Sequence, residues 1–238
     1  MTAREPIFNV PGVVVAMLGL VLAVHVGRSF LGEAADERVL LTMAFIPARF
    51  SGEAAQWPGA PWAAYTSLLT HMLVHANWTH LFVNGAWFLA FGGAVARRLG
   101  TVRLVGFTIF TGLVAIACYW ALHIGGRSPV VGASGAVSGL MAGAFRFFFV
   151  AMRLGGARQL AEDIGSVPRV SVVDTLKDRQ VMTITGVFIA LNLVAALLGE
   201  ALTEGGAIAW EAHIGGFLAG LLGFGLFDRQ TGPALEGR

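Results

Sequence analysis

The sequence predicts an all-α membrane protein, a bundle of six transmembrane helices with both termini in the cytoplasm. Three observations carry this expectation. The chain is 56% hydrophobic and only 13% charged over 238 residues, whereas a soluble domain carries about 25% charged residues. Its mean hydropathy is +0.72. Uncharged runs recur at membrane length, and the basic residues gather in alternate connections between them.

The uncharged runs are Ile7 to Gly27, Ala54 to Ala96, Leu104 to Gly126, Ser128 to Phe145, Val181 to Gly199 and Ala212 to Phe227. A spanning helix needs about 20 mainly apolar residues. The first run predicts a span over about 8–28. Arg4 precedes it as in a signal peptide, but the apolar stretch is long and no small-residue cleavage site follows closely, so a retained helix is expected. The second run is too long for one helix and its first part is rich in Pro, Trp and His. The helix is therefore assigned to 79–96, and Ser29 to Trp78 becomes an outer connection at the interface. There Trp57-Pro58 and Pro61-Trp62 suit the headgroup region, where an indole buries its ring and keeps its N–H wet. The remaining spans fall at about 104–124, 134–151, 181–199 and 207–227, giving one membrane domain over 1–238. The loop from about Arg153 to Arg179 mixes both charge signs with Gly and Pro, and reads as exposed and partly ordered. Cys118 is the single cysteine, so no internal disulfide can form.

Orientation follows from the basic residues. Arg97, Arg98 and Arg103 lie between spans two and three, and Arg153, Arg158, Arg169, Lys177 and Arg179 between spans four and five. Arg4, Arg229 and Arg238 mark the ends, while the opposite side mixes Arg28, Arg38, Arg49 and Arg127 with seven carboxylates. The positive-inside rule assigns the basic side and both termini to the cytoplasm. This asymmetry accounts for the sequence pI near 9.2; no basic stripe with interleaved aromatics calls for nucleic acid. Arginine outnumbers lysine fifteen to one, a bias that fits a GC-rich genome and a bacterial inner membrane.

Polar residues in three spans carry the chemistry. Gly132-Ala133-Ser134-Gly135 puts a hydroxyl at the first turn of span four. Serine is a poor nucleophile until a base takes its proton. From Ser134, Gly135, Gly139 and Gly143 run along one helical face, and span six shows His213, Gly216 and Gly220. Small residues spaced by four let helix backbones approach closely in lipid. Packing the two glycine faces together would bring His213 beside Ser134. In span two, His80 and Asn84 share a face at i and i+4. Both can donate a hydrogen bond without fixed negative charge, as an oxyanion hole requires, and the Ser134 backbone N–H at a helix start adds a third donor. A glycine stripe alone is ordinary packing, and an isolated serine bonds back to its own helix. The coincidence of serine and histidine at the heads of matching glycine faces is what points to a reaction centre.

These segments resemble the rhomboid intramembrane serine proteases. His71-Met72-Leu73-Val74-His75-Ala76-Asn77-Trp78-Thr79-His80-Leu81-Phe82-Val83-Asn84 is similar to their second-helix signature, and Gly132-Ala133-Ser134-Gly135 to their GxSG motif. Ala212-His213-Ile214-Gly215-Gly216 with Gly220 resembles their AHxxGxxxG pattern, and Gly92-Gly93-Ala94-Val95 before Arg97-Arg98-Leu99-Gly100 is in the family's style. The ordered set runs from residue 71 to 220 and covers the six-helix core. The resemblance implies a dyad of Ser134 as nucleophile and His213 as general base, with His80, Asn84 and the Ser134 amide on the oxyanion. It also implies that the substrates are single-span membrane proteins cut near the outer face, and it calls for no cofactor and no metal. No Asp or Glu stands close to His213 in these spans, Glu211 pointing to another face, so a Ser–His–Asp triad is not expected. Position 138 is Ser where several relatives carry an aromatic ring against the histidine.

Two rival classes stay open at this stage. His71, His75, His80 and His213 could gather around a metal, although no HExxH occurs and no carboxylate accompanies them. A catalytically inactive rhomboid-like binder of membrane proteins, or a transporter, is the other. Spans nearly free of charge argue against an ion or proton pump.

Overall fold

The computed structural model describes residues 10–162, 164–202 and 208–229. The outermost residues of two expected spans, 8–9 and 207, lie outside the described residues. The described structure is helical, its single extended contact being an isolated bridge between Phe45 and Val130. Among the described residues, five helices are long and apolar enough to cross a bilayer: α1 (Gly12–Ser29), the composite Trp78–Leu99, α6 (Thr101–Leu122), α10 (Arg179–Leu202) and α11 (Trp210–Phe227). Two further helices, α7 (Ser134–Phe145) and the part of α8 (Phe148–Glu162) up to its non-helical Gly156, together have the length and hydropathy of a sixth span, bent by 49° at the break between them. The composite span is α4 (Trp78–Trp87), a π-helical stretch Phe88–Gly92 and α5 (Gly93–Leu99).

The outer connection is more ordered than its Pro and Trp content indicated. It contains α2 (Glu33–Met43), α3 (Trp62–Thr70) and three 3-10 turns. Arg49 organises it from inside: the guanidinium is buried and donates to the carbonyls of Leu41, Ala44, Pro58 and Ala63 at 2.6–3.3 Å. Trp62 is exposed as the headgroup reading requires, but Trp57 is half-buried and packs on Ala44, Ile46 and Ala48, with its indole nitrogen inside. The proline-flanked pair therefore divides, one ring outward and one into the connection's own core.

At the centre stands α7, buried along its whole length after Ser134 and packed against both α6 and α11. Its glycines serve two neighbours. A Cβ on Gly135, Gly139 or Gly143 would run into Ala115, Thr111 or Phe107 of α6. A Cβ on Gly216 or Gly220 of α11 would run into the carbonyls of Gly135 and Gly139. Here the stripes do what small residues do in lipid, letting backbones touch where water-driven burial is unavailable.

The far end of the bundle is closed by arginines. Arg98 makes a fully buried pair with Asp228 at 2.9 Å and donates to Val167 O at 2.9 Å. Arg146 reaches Leu221 O at 2.6 Å and Val170 O at 2.8 Å, and Arg169 reaches Asp228 O at 2.9 Å. The last four carbonyls of α11 lack intrahelical donors, and two of them are met by cations, Gly225 O by Arg169 at 3.2 Å and Phe227 O by Arg103 at 3.3 Å. The loop read from sequence as exposed is thus partly tucked in, since Ile164 and Val167 are buried and Thr175 of α9 (Val172–Lys177) is too.

Candidate active site

Ser134 is the first residue of α7, and the chain reaches it through Gly132 at φ +104°, a left-handed conformation that favours glycine. A Cβ there would also strike the His80 ring at Cε1 and Nε2. Two sequence-distant anchors hold this approach: Phe45 and Val130 exchange both backbone hydrogen bonds at 3.0 and 2.8 Å, and Gly132 N–H donates to His71 O at 2.8 Å. His75 Nε2 accepts from Ala133 N–H at 3.5 Å, while Arg28 holds the His75 carbonyl at 2.8 Å. Burial pushes the His71 imidazole down to about 4. Burial, reinforced by the neighbouring His80, His25 and Arg28, takes the His75 imidazole to about 3. Both are neutral near pH 7 and act as uncharged supports for the loop.

The structure brings Ser134 and His213 together. Ser134 Oγ lies 2.7 Å from His213 Nε2, and both residues are half-buried, which leaves access from one side. His213 occupies the first turn of α11, a few residues after the chain enters that helix at Trp210. Glu211 does point elsewhere: it meets His123 Nε2 at 2.8 Å, pinning the end of α6 to the start of α11. Ser138 points its hydroxyl back to Ser134 O at 2.8 Å and offers the imidazole no ring.

The other predicted residues converge on the same region. Asn77 caps α4 by accepting from His80 N–H at 2.8 Å, and the His80 ring lies over Gly132, two residues from Ser134. Asn84 is buried, and its Nδ2 gives one N–H to His80 O at 2.9 Å, leaving the second N–H of that amide for another acceptor. The Ser134 N–H belongs to the first helical turn, whose amides have no intrahelical acceptor. A cavity of about 310 Å³, lined mainly by apolar side chains of α1, α4 and α6, reaches Asn84 and Ala133. Among the described residues, no three of His, Cys, Asp and Glu are grouped to hold a metal ion.

One residue at this site escaped the sequence reading. Asn192 of α10 accepts at Oδ1 from His213 Nδ1, 2.7 Å away. The signal existed, a single amide inside an uncharged span, where polar side chains are costly and seldom idle.

A profile of the rhomboid domain matches residues 62–229. The chain belongs to the rhomboid family. Over 82 residues it is 32% identical to the rhomboid protease GlpG of Enterobacter sp. (strain 638), an alignment that covers 34% of this chain and 25% of that relative. The chain thus matches only a quarter of the length of that curated relative. Within the rhomboid match fall the motif residues His80, Asn84, Ser134 and His213, and also Asn192.

Proposed function

We propose that this rhomboid is an intramembrane serine endopeptidase working through Ser134 and His213. The observation that carries this reading is the 2.7 Å approach of Ser134 Oγ to His213 Nε2 at the head of two tightly packed spans. In the proposed reaction His213 Nε2 takes the Ser134 proton as Oγ bonds to the scissile carbonyl carbon. The oxyanion that forms is stabilised by the Ser134 N–H, His80 and Asn84. Collapse breaks the C–N bond, the amine leaves with the proton from His213, and the acyl-enzyme is released by a water that His213 deprotonates in turn. A positioned base contributes about 10²–10⁴-fold to such steps, and each oxyanion donor about 3 kcal/mol.

The substrates in this reading are single-span membrane proteins, because both reacting residues lie at the heads of apolar spans, within reach of a segment embedded in the same bilayer. Cleavage falls near the outer face, with the arginine-rich end and both termini in the cytoplasm of a bacterial inner membrane, and residues 1–238 act as one domain without cofactor or metal. The test is reconstitution of the purified chain in liposomes with a fluorescent single-span reporter, alongside a fluorophosphonate probe. Cleavage and probe labelling that both vanish in Ser134→Ala support the proposal. A chain that retains the reporter on co-purification but neither cleaves it nor takes the probe is the inactive binder instead.

A further inference from the structure

Helix α10 turns one face to the bundle: Val181, Thr185 and Asn192 are buried and Phe188 is half-buried, following at i, i+4, i+11 and i+7. Phe188 stacks on Phe217 of α11 with ring centroids 5.2 Å apart and planes 21° from parallel. One turn towards the C-terminal end of α10 and the N-terminal end of α11, Asn192 meets His213. Two pairs separated by the same four-residue step, 188 with 217 and 192 with 213, set the rotation and register of α10 against α11.

The direction of the Asn192 amide is determined by its other bond. Nδ2 donates to Phe188 O at 2.8 Å. Turning the amide over would set Oδ1 against that carbonyl oxygen, two acceptors with no proton between them. Oδ1 therefore faces His213 Nδ1, and an acceptor there requires the ring proton on Nδ1. A neutral imidazole has only one ring proton, so Nε2 keeps its lone pair, and Nε2 is the atom 2.7 Å from Ser134 Oγ.

We propose that Asn192 is the positioning residue of His213, occupying the place an aspartate holds in a Ser–His–Asp triad. The inference rests on the Ser134–His213 reading and adds the group that selects the productive tautomer and holds the ring. A neutral amide stabilises the imidazolium less than a carboxylate would. It also spares the span a buried negative charge, which is costly in lipid. Ser138 in place of an aromatic ring is consistent with support arriving from α10.

Two measurements test this on the full purified chain. In the first, ¹⁵N-histidine NMR is recorded with the His213 signals identified by their loss in His213→Ala. Wild type is expected to show the proton on Nδ1, and Asn192→Ala a shift towards the Nε2–H tautomer. Wild-type His213 protonated on Nε2, or a spectrum indifferent to Asn192→Ala, overturns the proposal whether or not the chain cleaves anything. In the second, reporter cleavage by Asn192→Ala is expected to lose roughly tenfold or more in kcat with KM within about twofold, as removal of a tautomer-setting partner does. Asn192→Asp, which keeps the acceptor oxygen, should recover most of that loss, while Asn192→Leu, similar in shape but without an acceptor, should not. Equal recovery by Leu would make the role packing and sink the idea. Absent cleavage and probe labelling in wild type, beside the expected tautomer signal, would instead count against the protease reading alone.

Discussion

The carbonyl of Gly135 occupies the space that a Cβ on Gly216 would need, so α7 and α11 meet backbone to backbone. One turn on, the Gly139 carbonyl does the same to Gly220. The Gly135–Gly216 contact sits one residue after Ser134 and three after His213, whose side chains approach to 2.7 Å.

Gly216→Ala and Gly220→Ala are each expected to destabilise the bundle by about 1–3 kcal/mol or more, the ordinary cost of overpacking, and to lower cleavage with it. Thermal unfolding in detergent reads the first effect and the reporter assay the second. Gly186→Ala on α10 has open space around its Cβ and serves as the control. It should change stability by no more than about 1 kcal/mol. Equal damage at Gly186 and Gly216 would remove the packing argument.

Ser134→Ala and His213→Ala should each lose roughly 10³-fold or more in cleavage, and the double variant little beyond that, since groups acting as a unit are not additive. Near-wild-type melting of both variants would separate loss of chemistry from loss of fold. A Ser134→Ala protein that cleaves normally would defeat the mechanism.

Asn84→Ala should slow cleavage by about 10²-fold without eliminating it, the usual effect of deleting one oxyanion donor. The rate, not the reporter's KM, is the quantity expected to move. Gly132→Ala should be more damaging, because it forces a side chain into positive φ and against the His80 ring.

Acid should destabilise the loop anchors. His71 titrates near 4 when folded against 6.5 ordinarily, so between those pH values the unfolded chain binds a proton that the folded chain refuses. Stability is then insensitive to this group above pH 6.5 and falls as pH drops below it, and His75 extends the window to about 3. Melting curves collected downward from neutral pH check the sign. A His71→Asn variant, whose amide can still donate to Ser67 O, should show a shallower decline.

Asp228→Asn leaves the Arg98 guanidinium buried without its counter-charge, and breaking such a pair costs about 3–5 kcal/mol. Chemical unfolding should register that loss. Cleavage per folded molecule should stay near wild type, because the pair closes the end of the bundle away from Ser134.

Much of the architecture was legible because lipid imposes a simple rule: backbone polar groups must be satisfied within the segment, so a long apolar run becomes a helix. Gly135, Gly139, Gly216 and Gly220 could be read as close-contact positions from their spacing alone, whereas Gly132, grouped with them as packing support, instead serves the loop before α7 at positive φ beside the His80 ring. The break after Phe145 could not. The run was expected to continue as one straight span over 134–151, but Arg146 turns to the carbonyls of Val170 and Leu221, and α8 departs at 49°. That bend depends on carbonyls more than twenty residues distant, which no local pattern records.

By itself the sequence determined that this is a multi-span helical membrane protein with rhomboid motifs, and which residue types stand at the heads of its glycine faces. Those properties are local, being set by hydropathy, periodicity and spacing. Only the tertiary structure decided how far each helix is rotated about its axis. That rotation turns Asn192 towards His213 Nδ1, sends Ser138 back to its own helix, and gives the α7 glycines two partners, α6 as well as α11. Helix rotation is set by the sum of many side-chain contacts between segments, so it becomes visible only once all of them are packed together.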